Sequence, residues 1–153
     1  MTSGNATAGA GSRSLILAAM IFAVSMTFID QTIVSIAAPE IQRELGLTAT
    51  GVQWAINAYL LSLAALFAFG GRLADTVGHR KMVTLGVIVF AGASAMCGLT
   101  PKGAAAQAWI VTFRIVQGAG GAIMFPAALA IVVQTFELRE RGRALALFFG
   151  IAG

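Results

Sequence analysis

Gly-Arg-Leu-Ala-Asp-Thr-Val-Gly-His-Arg-Lys, residues 71–81, is the stretch on which the fold turns. It gathers Arg72, Asp75, Arg80 and Lys81 in a chain with few charges elsewhere. Residues 45–71 before it and residues 82–101 after it carry no Asp, Glu, Lys or Arg, apart from Arg72 onward in the stretch itself. At about 1.5 Å per residue, each flank reaches across a hydrocarbon core of about 30 Å as a helix. The stretch is therefore expected to be a tight charged hinge between two transmembrane helices. Gly71 and Gly78 suit the close backbone turns of such a connection. By its residues alone, the hinge suits either a topogenic basic loop or a functional gate.

Composition agrees with a membrane protein. Hydrophobic residues make up 58% of the chain and charged residues 10%, with a mean hydropathy of +0.87. Soluble domains carry about 25% charged residues. The net charge of +4 comes from basic residues flanking apolar segments, which does not point to nucleic acid. Cys97 is the only cysteine, so an internal disulfide and a cysteine-based zinc site are excluded. No His-Glu-x-x-His or Gly-x-Ser-x-Gly pattern suggests an enzyme.

The fold expected is an all-α membrane bundle of four complete spans and the start of a fifth. Residues 1–14 are small and polar and read as a disordered tail. Spans follow at about 15–38, 52–70, 82–99 and 108–135, and a last one begins at 144–153. Residues 15–24 resemble the apolar core of a signal peptide, but the helix continues well past them and more spans follow. Pro39 is expected to end the first span, with an amphipathic connection at 39–50. Trp54 and Tyr59 read as interface anchors, while Gln53 and Asn57 suit a polar cavity or cross-helix glue. Ten residues from 144 reach only about 15 Å, so the chain reads as a fragment that stops inside a span.

Two charges lie inside spans. A carboxylate there costs about 2.5–3.5 kcal/mol on translocon scales unless it faces a partner or a cavity. Asp30 shares a helical face with Thr27, Gln31 and Val34, which should point into the bundle. Arg114, Gln117, Gly118, Gly121, Ala122 and Phe125 fall on one face of the fourth span. That face is polar at its outer end and small further in, as suits close helix packing. Asp30 lies nine residues before Pro39, roughly 13 Å in, and Arg114 lies roughly 9–18 Å from the same surface. The depths overlap, so the two are expected to form a pair, either a static ion pair or a proton-coupling one. Residues 118–123 do not form a dinucleotide loop, since a helix precedes them and Ile123 stands where Gly or Ala is needed.

Positive charge sets the expected orientation. Arg13, Arg72, Arg80, Lys81, Arg139, Arg141 and Arg143 lie on one side, against Arg43 and Lys102 on the other. This places the N-terminus, the hinge and the last turn in the cytoplasm.

These residues resemble a known family. Gly71, Leu73, Ala74, Asp75, Gly78, Arg80 and Lys81 match the signature between the second and third helices of the major facilitator superfamily. Arg114-x-x-Gln117-Gly118-x-Gly120-x-Ala122 looks like the fourth-helix signature of its proton-driven members. Asp30-x-Thr32-Ile33-Val34-x-Ile36-Ala37-x-Pro39-x-Ile41 is similar to the first-helix signature of the fourteen-span drug:proton antiporters. Ser35 stands where that pattern usually has Asn, and Thr76 and His79 replace commonly basic positions in the hinge.

The resemblance implies the N-terminal part of a proton-coupled multidrug efflux transporter of the cell membrane, working by alternating access. Asp30, Arg114 and Gln117 would couple protons to substrate. Gly71, Asp75, Gly78, Arg80 and Lys81 would form a cytoplasmic gate, with Asp75 facing the end of a neighbouring helix and Glu137 close by. Gly118, Gly120, Gly121 and Ala122 would pack helices. The implied partners are the lipid bilayer, a small hydrophobic or cationic substrate and the remainder of the transporter chain. No cofactor is expected beyond a proton gradient. A nutrient uptake porter of the same fold and a non-transporting truncated membrane protein are the alternatives.

Overall fold

A computed structural model describes residues 4–152, with side chains from 11 to 151. The described residues form five α-helices and no strand: α1 (Gly4–Leu45), α2 (Ala49–Val77), α3 (His79–Gly98), α4 (Ala106–Thr135) and α5 (Leu138–Ala152). The first four are long and apolar enough to cross a membrane, as the hydropathy pattern predicts.

Four boundaries differ from the expected ones. Residues 4–14, read as a disordered tail, continue α1; residues 1–3 lie outside the described residues. Extending a formed helix adds one hydrogen bond per residue without a new nucleus, and no proline interrupts this stretch. Pro39 does not end α1, which runs on to Leu45. A proline removes one backbone bond, and the Glu40–Arg43 pair at 2.6 Å supports the turn that follows it. The hinge is mostly helix. Gly71 lies inside α2, and the whole reversal falls on Gly78, whose φ of 107° is one that side-chain-bearing residues rarely adopt. The charged turn expected at 136–143 shrinks likewise to Phe136 and Glu137, after which α5 begins.

α4 is the central element. It packs mainly against α2 and α3, less against α1, while α1 also touches α5. In its most apolar window 56% of residues are buried, against 22–28% in the other spans. The sequence explains why α4 can sit there. A Cβ on Gly118 would overlap the Tyr59 carbonyl oxygen of α2, and one on Gly70 would overlap the Ala122 carbonyl oxygen of α4. On the other side, a Cβ on Gly120 would lie 2.8 Å from the Phe90 nitrogen, and one on Gly86 2.6 Å from the Met124 Cβ. Bare backbone on both faces lets α2 and α3 close on α4, as small residues do between membrane helices. Two hydrogen bonds lock the arrangement: Ser62 Oγ donates to the Ile115 carbonyl at 2.7 Å and Trp109 Nε1 to the Met96 carbonyl at 2.8 Å.

Candidate functional site

The site grows out of that close approach. Gly118 brings the α2 backbone against α4, which sets the Ala55 carbonyl and the Tyr59 ring beside Arg114, one turn away on the same helix. The Arg114 side chain is 2% exposed. Its Nη1 donates to Asp30 Oδ2 at 2.5 Å and to Gln117 Oε1 at 2.9 Å. Nε donates to the Ala55 carbonyl at 3.2 Å, and Nη2 reaches Gln31 Oε1 at 3.5 Å. The guanidinium carbon lies 4.4 Å from the centre of the Tyr59 ring, a cation–π contact. Gln117 Nε2 donates to Asp30 Oδ1 at 2.7 Å, so both carboxylate oxygens are held from α4.

Asp30, Arg114 and Gln117 thus come together as the face analysis expected. The Asp30 side chain keeps 14% of its surface exposed. An enclosed carboxylate–guanidinium pair holds its charges internally, and its one slightly open edge is at Asp30. Along α4 the same face ends in an aromatic cluster: Phe125 meets Phe67 of α2 at 5.7 Å, Phe148 of α5 at 6.1 Å and Phe28 of α1 at 6.3 Å between ring centres.

Other expectations need correction. Tyr59 is not an interface anchor; it is 1% exposed and forms the floor under Arg114. Its spacing with Ala55 and Ser62, small residues on one face of α2, was the available signal. Gln53 and Asn57 are exposed and take no part in the polar cluster. At the hinge, Asp75 meets only the first residue of the neighbouring helix α3. Its side chain is 74% exposed and its nearest basic group is His79 Nε2, 3.9 Å away at the start of α3. Glu137 lies 3.8 Å from Arg13, which also lies 3.7 Å from Glu140. The helical extension of α1 carries Arg13 to the α4–α5 turn. Arg80 and Lys81 line an open cleft of about 500 Å³ with Val77, Gln134 and Thr135.

Residues 20–153 match the Major Facilitator Superfamily. The chain belongs to that superfamily. It is 41% identical to a tetracenomycin C resistance and export protein of Streptomyces glaucescens, over 90% of this chain and 25% of that protein. It is 37% identical to a puromycin resistance protein of Streptomyces alboniger, over 91% of this chain and 26% of that one. A multidrug transporter protein of Bacillus subtilis is 34% identical over 92% and 25%. The chain therefore spans about a quarter of the length of the curated relatives it matches. The superfamily membership and the four apolar helices make it a multi-pass membrane protein.

Proposed function

We propose that these residues form part of a proton-coupled drug exporter of the fourteen-span antiporter type, with its N-terminus in the cytoplasm. The observation that carries the reading is the ion pair of Asp30 and Arg114, closed by Gln117 inside the helix bundle. The export names of the relatives support the direction of transport and a small-molecule substrate. Asp30 is the proton-accepting group, and Arg114 is the counter-charge that stabilises its ionised form. Proton arrival at the open edge of Asp30 weakens the attraction between α1 and α4, and reloading of the pair restores it. A cationic substrate competes with Arg114 for the same carboxylate, which is the exchange that antiport requires. The proton gradient supplies the energy, with no other cofactor.

Removing one partner of a buried pair costs about 3–5 kcal/mol because the other charge is left uncompensated. Asp30→Asn retains the size of the side chain and one acceptor oxygen for Arg114 while removing the group that can take a proton. In the full-length transporter, reconstituted in vesicles, Asp30→Asn is expected to abolish proton-driven efflux of a lipophilic cation while the protein still inserts. Full coupled efflux in that variant would assign the proton to another group.

A further inference from the structure

Gln31 is the polar side chain of the cluster that the structure leaves half used. Its Oε1 accepts from Arg114 Nη2 at 3.5 Å, the outer limit of a hydrogen bond, while its Nε2 is shut off from solvent with no partner among the described residues. The amide cannot simply be turned round, because a guanidinium only donates and the oxygen must face it. A residue that merely glued helices together would be expected to use both ends of its amide.

Arg114 shows what the slack is for. Asp30 is its only anionic partner among the described residues. Once a proton reaches Asp30, the buried guanidinium must rely on neutral acceptors. Gln117 Oε1 and the Ala55 carbonyl are already engaged at 2.9 and 3.2 Å. The Gln31 oxygen, next to Asp30 in the chain and loosely held, is the acceptor with room to close. We propose that Gln31 is a positioning residue that takes up Arg114 when Asp30 is protonated, its bond to Nη2 long in the ionised state and short in the protonated one. This rests on the reading of Asp30 as the proton carrier. The titratable and charged groups around the guanidinium are Asp30 from α1 and Tyr59 from α2, with the Cys97 thiol of α3 also within electrostatic reach.

Infrared difference spectra of the full-length transporter in vesicles read the Asp30 carboxyl band directly as pH is varied, with Asp30→Asn identifying the band. Gln31→Leu removes the waiting acceptor, so the protonated state is less well accommodated and the midpoint of the band should move down by about one pH unit, the scale of one hydrogen bond to a charged group. Gln31→Glu places a second carboxylate beside Asp30 and should move the midpoint up. Opposite shifts support the proposal. Unmoved midpoints in inserted variants overturn it, because a merely structural role would change yield without moving a titration. If Gln31→Leu does not insert, Gln31→Met provides the same deletion with a straighter side chain, and Gln31→Glu is read independently. A band that titrates and shifts while Asp30→Asn retains coupled efflux would overturn the proposed function alone.

Discussion

Arg114 can serve several partners at once because a guanidinium presents five N–H donors in a rigid plane and an aromatic-facing surface. Asp30, Gln117 and the Ala55 carbonyl take its edge, and Tyr59 takes its face. The two contributions of Tyr59 separate by substitution. Tyr59→Phe preserves the ring under the cation and should leave thermal stability of the full-length protein nearly unchanged. Tyr59→Leu removes the ring and should cost about 1–2 kcal/mol, the size of a desolvated cation–π contact. Thermal unfolding in detergent measures both, and equal losses would show that the ring face is not what holds Arg114. Residue types alone pointed to Asp30 and Arg114, because charge inside a span is conspicuous. Tyr59 was hidden by its double suitability, since the same side chain anchors at interfaces and packs under cations.

At the scale of the helices, glycine placement decides which ones meet. Gly70 and Gly71 are adjacent in the sequence yet differ in surroundings: a Cβ on Gly70 would overlap the Ala122 carbonyl oxygen, while one on Gly71 would stand 3.7 Å from Pro126 Cβ. Gly70→Ala should therefore destabilise the bundle by about 1–3 kcal/mol, as overpacking does, and Gly71→Ala should be close to neutral. Comparable unfolding temperatures for the two variants would contradict the close α2–α4 crossing. The hinge belongs to this scale too. Asp75 lies near the end of α2, largely exposed, with His79 at the start of α3 3.9 Å away. Asp75→Asn in the full-length transporter should insert normally and slow transport strongly. Unchanged rates would reduce the hinge to its role in orientation.

For the whole molecule, the proposed orientation rests on seven basic residues on one side against two on the other. A cysteine at Thr76 is expected to react only with reagents applied from the cytoplasm, and one at Gly103 only from outside. The reverse pattern would invert the bundle and every assignment of inside and outside that depends on it. The background thiol, Cys97, must be replaced first, and as a partly buried residue it should tolerate Ala. The relatives are about three and a half times as long as the chain, so alternating access would be a property of the assembled transporter, in which a second bundle would face this one.

Hydropathy and charge spacing determined by themselves that four long helices cross a membrane, because unpaired backbone in hydrocarbon leaves a helix as the available answer for an apolar run of that length. The same patterns paired Asp30 with Arg114 and set Gln117 on the Arg114 face, since intramembrane charges must find partners and helical spacing set them on small or polar faces. Where α1 begins and ends was decided by the cost of stopping an established helix, which neither a polar tail nor Pro39 could impose. Which groups surround Arg114 was settled only in three dimensions. The missing side chain of Gly118 lets α2 approach until the Ala55 carbonyl and the Tyr59 ring converge on the guanidinium that α1 meets with Asp30 and Gln31. Helical periodicity says which way a residue points along its own helix. How near the neighbouring backbone can come depends on both surfaces at once, and that is a property of the packed bundle.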